Sequence, residues 1–345
     1  MNTTVETLCT KPCSLMRVLN EASDIQSLCE DYDVEGVNTR NFYYNAYSNG
    51  IQFTTPDGAK EVLSLTPFAL QQLCSKMGVP SRYIEKCIEN GMPDLAAENL
   101  NAWIDGYGKN LFVRSFDNTA RGILSDRYTT LDAPDVLQVL GDKFDNEYKV
   151  RGVYLSPERL HLRLVQREMM NIKGEDLFAG VVIDSSDVGR SLLSVRFFIY
   201  KQVCTNGMCI SEDFGTLFSQ KHIGITQKEF SEGLSENLSR IPDMMTEIMS
   251  LIKQANSDAD PLGWDRSLFE ASHKELAHSR IKALTKLSDE GVEKVIETVY
   301  NNYTDNRWGF INSLTEVAQD YSLGRRLELE QVASRFLTRG NLLAA

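Results

Sequence analysis

The chain has no long apolar run. Its hydrophobic stretches fall far short of the roughly 20 residues a membrane-spanning helix needs, so no membrane partner is expected. The opening residues, MNTTVETLCTKPCSLM, carry no basic-then-apolar leader, and a cytoplasmic location is the expectation. Seven cysteines, at positions 9, 13, 29, 74, 87, 204 and 209, form no CxxC pair, and only four histidines could assist them. That argues for reduced thiols and against a zinc site. Cys9 and Cys13 could share a metal, but no second pair is evident. There is no GxxxxGK[ST], GxSxG or HExxH. Gly106-Tyr107-Gly108-Lys109 lacks the third glycine of a dinucleotide loop and precedes a strand, so it reads as a turn.

Positive charge is also short. Lys and Arg number 36 against 48 Asp and Glu, a net of −12. A uniformly acidic protein is a poor partner for phosphates, which need Lys and Arg. The deficit is uneven, however. Residues 1–150 carry 13 basic and 21 acidic side chains, residues 151–225 carry 9 and 8, and residues 226–345 carry 14 and 19. The middle is the least acidic part and keeps local binding open.

What remains is an ordinary globular composition, 42% hydrophobic and 24% charged, on 345 residues. That length can bury a large core and divides into two or three units. The first 35 residues read as helical and acidic. A strand pair, NFYYNAY and GIQFTT, joins through Ser48-Asn49-Gly50. Thr66 and Pro67 open a helix that Gly78 stops, Pro80 and Ser81 open a second, and Pro93 a third. LFVRSF and RGILS form a hairpin across Asp117–Ala120, and a helix covers Thr130 to Phe144. Strands follow at RGVYL, RLHLRLVQRE, LFAGVVID and Leu192–Val203. After Gly224, apolar residues from Phe230 to Ile252 recur at spacings of three and four, predicting one long amphipathic helix despite Pro242. Asn256–Gly263, with Pro261, reads as a linker, and further helices complete the chain. The fold class expected is α+β. It comprises an N-terminal helical and mixed subdomain (1–105), a mainly antiparallel sheet (106–225) and a helical region (226–345).

The chain is organised around Leu192–Met208. Leu193, Val195, Phe197 and Ile199 alternate with Ser194, Arg196, Phe198 and Tyr200, so one face carries a cation and two aromatics. Cys204-Thr205-Asn206-Gly207-Met208 reads as the turn that ends this strand. In Arg159–Arg167, Leu160, Leu162 and Leu164 face one way and Arg159, His161, Arg163 and Arg167 the other, with Val165 interrupting. Side by side in one sheet, the two strands would present Arg159, His161, Arg163, Arg167, Arg196, Phe198 and Tyr200 together, with Arg114 and Arg127 extending the surface. Cations that track phosphates, beside aromatics that stack bases, suit single-stranded nucleic acid. The plainer alternatives are a solvated polar sheet face and aromatics packed under a helix. Asp184 and Asp187 could chelate a divalent cation or simply bond their own loop. Arg121 and Ser125-Asp126-Arg127-Tyr128 read first as a lock on the hairpin end.

Several stretches occur in an order that resembles an uncharacterised family of "phage/plasmid-like" proteins found in phages, plasmids and prophages. They are Met77–Tyr83, Leu111–Arg114, Leu124–Tyr128, Gly180–Gly189, Arg196 with Val203–Met208, and Trp308 with Asn312–Thr315. Together they span about residues 66 to 335. The loop here opens Asp184-Ser185 where the family usually has Asn-Ser, so no loop-specific role carries over. The resemblance implies a mobile-element protein without an established activity. Combined with the basic strands, it leads to the expectation of a non-enzymatic protein that binds single-stranded nucleic acid, such as a strand-annealing or recombination factor. A homo-oligomer is expected, because repetition multiplies phosphate contacts. One alternative is a module that inhibits a host defence or restriction protein. A second is an enzyme using Asp184 and Asp187, or Arg114, Asp126 and Arg127, on a nucleotide. No cofactor is expected.

Overall fold

In the computed structural model, which describes residues 5–7, 14–144, 148–172, 175–201, 206–209, 215–257, 267 and 270–339, the strands divide between two sheets. The first has six strands: β2 (Cys29–Val34), β3 (Phe42–Asn45), β4 (Gly50–Thr54), β5 (Lys60–Leu65), β6 (Leu111–Phe116) and β7 (Thr119–Leu124). Their order is β2-β6-β7-β5-β4-β3, antiparallel throughout except between β5 and β7. The β6–β7 hairpin turns at Asp117 and Asn118, both at positive φ (45° and 57°), the geometry that Asp and Asn tolerate best. This sheet packs beneath α2 (Pro67–Met77), α3 (Ser81–Glu89) and α4 (Pro93–Asp105). The expected punctuation of α2 is present: Thr66 accepts a hydrogen bond from the Ala69 N–H at 3.1 Å, and Gly78 closes the helix at φ 69°.

The second sheet is wholly antiparallel. It contains β1 (Val5–Thr7), β8 (Tyr148–Ser156), β9 (Arg159–Gln166), β10 (Met170–Ile172), β11 (Glu175–Ser185), β12 (Leu193–Lys201), β13 (Asn206–Cys209) and β14 (Thr216–Gln220). The order is β1-β8-β9-β11-β12-β13, with β10 also on β11 and β14 also on β12. Leu162, Leu164, Val181, Ile183, Val195 and Phe197 fill one face. They share a core with α1 (Leu15–Gln26), α5 (Ala133–Phe144), α6 (Gln227–Leu238) and α7 (Ile241–Ala255). The same core continues through α8 (Lys274–Thr285), α9 (Asp289–Asn302), α10 (Arg307–Val317) and α11 (Leu323–Arg339). Each such Leu, Ile or Phe contributes about 1.5–3 kcal/mol of burial.

The α+β class holds, with a helical final third. Four finer expectations change. The sheet read as running from 106 to 225 is split, because the 111–124 hairpin pairs with β2 and β5 and not with the later strands. The helix expected through the first 35 residues ends at Gln26. Glu30, Asp31 and Asp33 instead lie on an edge strand, where charges meet solvent and deter further pairing. The long helix breaks between Leu238 and Ile241, and Pro242 sits in the first turn of α7, where its missing N–H costs nothing. Asn206 and Gly207, read as a turn, lie in β13 against β12. Cys204 and Thr205 fall outside the described residues, as do Cys9, Cys13 and most of the 256–263 linker.

Candidate nucleic-acid interface

The two basic strands do lie in one sheet, but β11 runs between them. Val182 pairs with Arg163 on one side and Arg196 on the other, and Asp184 sits opposite His161 and Ser194. All therefore share a face, as the alternation implied. That face is not open. His161, Arg163, Arg196, Phe198 and Tyr200 are all at most 8% exposed. The expectation of an open surface holding these side chains is corrected: α11 covers them. Leu327 packs with Val165, Val182, Phe198 and Tyr200 in a small apolar cluster. Arg163 donates to Glu330 at 2.8 Å, and Arg326 meets the same fully buried carboxylate at 2.9 Å. Gly180 makes room for the Phe198 ring, since a Cβ there would sit 2.3 Å from it.

Asp184 is the hub of this face. Its carboxylate bonds Arg159 at 2.9 Å, His161 Nδ1 at 3.0 Å and Arg196 at 2.7 Å. Burial alone would raise this carboxyl, but His161, Arg196 and Arg159 outweigh it and hold it well below the usual range. Burial lowers His161, against the pull of Asp184. A carboxylate with both oxygens taken by cations has little left for a metal. Among the described residues no group of three His, Cys, Asp or Glu is placed to hold one.

Asp187 belongs to a different cluster, at the junction of the sheets. Arg114, fully buried on β6, bonds Asp31 at 2.8 and 3.0 Å, Asp132 twice at 2.6 Å, and the Asp187 carbonyl at 2.7 Å. Burial works against its charge, yet Asp132 and Asp31 keep its pKa raised. Arg121 donates to the Pro157 carbonyl and lies 3.5 Å from Asp187. Gln72, on α2, donates to the Val188 carbonyl at 2.8 Å and accepts from the Ile123 N–H at 2.8 Å. Tyr128 donates to the Ser186 carbonyl at 3.1 Å. The Asp184–Gly189 loop is thus fastened to the first sheet. Arg114 acts in this junction as a structural member, and Arg121 and Tyr128 lock more than their own hairpin.

Solvent reaches the cationic residues in three adjoining cavities. The first, about 610 Å³, is lined by Lys76, Lys109, Asp126 and Arg127, with Tyr107 beneath Lys109. It shares Lys76 and Ser125 with a second of about 400 Å³, which adds Arg190, Lys221 and His222. The second shares Ser191 and Leu192 with a third of about 390 Å³, which holds Arg159, Asp184, Arg196 and Glu328 beside the first turn of α11. Seven Lys and Arg side chains line this groove against three carboxylates. Of the side chains expected from the sequence to contact nucleic acid, Arg127, Arg159 and Arg196 border it. Arg114, His161, Arg163, Phe198 and Tyr200 are interior, and Arg167 is exposed just beyond β9. Lys76, Lys109, Arg190, Lys221 and His222 were missed. They lie in four separate segments of the chain, and no local pattern joins them.

Among the described residues no helix is long and apolar enough to cross a membrane. No curated protein and no solved structure matches the chain. A family described as a domain of unknown function, DUF932, matches residues 120–337, which take in the second sheet apart from β1, the fastened loop, the second and third cavities in large part, and nearly all of the covering helix α11. That is more than half of the sequence, and the chain belongs to the DUF932 family.

Proposed function

We propose that the protein binds single-stranded nucleic acid along the three-cavity groove, with Lys109, Arg127, Lys76, Lys221 and Arg159 neutralising successive phosphates. One observation carries this reading: in a chain of net charge −12, seven cations against three carboxylates line three cavities that share wall residues. A narrow basic track with aromatics at intervals (here Tyr107 and Tyr128) is the form that sequence-tolerant strand binding takes. The likeness to phage and plasmid proteins favours a role in mobile-element DNA metabolism, such as strand annealing. Because the groove is short, self-association would raise affinity by repeating it.

The test is fluorescence anisotropy of a labelled oligonucleotide against salt. Each phosphate neutralised on a single strand steepens the slope of log K on log salt by about 0.7. The triple variant Lys109→Ala, Arg127→Ala, Lys221→Ala removes exposed charges and should flatten the slope by about 2 while leaving the fold intact. Particle size with and without the oligonucleotide reports assembly. Absence of binding at low salt overturns the proposal.

A further inference from the structure

The middle cavity differs from its neighbours, and we propose that it receives one nucleotide of the bound strand, base inside and phosphate at the rim. This rests on the strand-binding reading and says where that strand is read. The volume, about 400 Å³, lies within the roughly 300–1,000 Å³ of small-molecule sites. No carboxylate lines it, whereas Lys76, Arg190 and Lys221 reach it from three separate segments. Arg190 also pairs with Glu158 at 3.0 Å and lies over the Phe68 ring, which holds its guanidinium in place. Those cations suit a phosphate.

The wall suits a base. Leu124, Tyr128 and Leu192 give it an apolar lining, and the Tyr128 ring stacks on His222 at 5.7 Å and 10°. A bare phosphate would leave that lining unused. Two buried polar atoms here lack a partner, His222 Nδ1 and Ser191 Oγ. His222 is only 4% exposed, so the orphaned nitrogen carries a desolvation cost that nothing in the protein offsets. Its other nitrogen lies 3.4 Å from Ser185 Oγ. Burial lowers the His222 pKa to about 4, so near neutral pH the ring has one donor and one acceptor nitrogen. A neutral imidazole and a hydroxyl beside an aromatic wall match the hydrogen-bonding edge and flat face of a nucleobase.

The experiment places a single fluorescent aminopurine at successive positions of an otherwise uniform oligonucleotide bound to the full chain. Leu192→Trp fills the cavity from a half-exposed position and so spares the core. One position should differ from the rest in emission. That difference should vanish in Leu192→Trp, with affinity falling about tenfold, the scale of one lost stacked base. His222→Phe should alter the ranking of the four bases. If wild type and Leu192→Trp bind alike and every position reports the same emission, the nucleotide cavity is overturned while strand binding stands. If no oligonucleotide binds but a nucleoside monophosphate binds in preference to inorganic phosphate, the cavity stands and strand binding falls. If neither ligand binds, both fall.

Discussion

The Arg114 guanidinium on the first sheet grips the Asp132 carboxylate, ahead of the second sheet, through two hydrogen bonds of 2.6 Å. Arg114 is 0% and Asp132 5% exposed, and the same fork holds Asp31 and the Asp187 carbonyl. Lysine cannot reproduce this planar set of donors. Arg114→Lys should therefore destabilise the protein by about 3–5 kcal/mol, the cost of leaving the buried Asp132 carboxylate without its fork. Urea unfolding measures it, and a loss under 1 kcal/mol would count against a structural role for the junction.

Asp187 gives that junction a pH dependence. Burial first, and Asp132 next, push its carboxyl from 3.8 up to about 7, against Arg121 and Arg114. Between those values the folded state keeps a proton that the unfolded chain has released. The stabilisation is present at low pH and is lost as pH rises from about 4 to 7. Asp187→Asn removes the titration. Wild type should lose on the order of 1–4 kcal/mol relative to the variant across that window. Urea midpoints near pH 5 and pH 8 decide it, and an unchanged difference between them refutes the assignment.

Under α11, Arg163, Glu330 and Arg326 form a buried triad. Removing one partner strands the others, so Glu330→Leu alone should cost about 3–5 kcal/mol. Replacing Arg163 by Met, Glu330 by Leu and Arg326 by Leu together should recover most of that. Thermal melts of the single and triple variants test the contrast.

Gly180 has no room for a side chain, because its Cβ would meet both the Phe198 ring and the Leu164 carbonyl oxygen, at 2.3 and 2.5 Å. Gly180→Ala should destabilise by about 1–3 kcal/mol or more through overpacking. Phe198→Leu in the same chain should return part of it, since the ring is one of the two obstacles.

Where local rules decide, the sequence was sufficient. The Thr66-Pro67 start and Gly78 stop of α2 follow from backbone geometry alone, as does the alternation that puts Arg163 and Arg196 on one face. The partner of that face was not legible. Glu330 lies 167 residues beyond Arg163, and a cation on a strand reads the same whether its counter-ion is water-borne or delivered by a distant helix. The hairpin carrying Arg114 was assigned to the wrong sheet for the same reason. Register in a hairpin is local, but the strand that flanks it is set by pairing with residues such as Asp31, 83 positions earlier. The groove was hidden because Lys76, Lys109, Arg190 and Lys221 meet only after both sheets are in place.

The helix that closes the charged face lies more than a hundred residues along the chain from the strands that it covers. Until residues 323–339 have been made, Arg163, Arg196, His161 and Phe198 have no cover, although every strand they sit on was finished more than a hundred residues before. Glu330 meets Arg163 while Leu327 meets Phe198, so the seam between helix and sheet joins charge neutralisation to apolar burial.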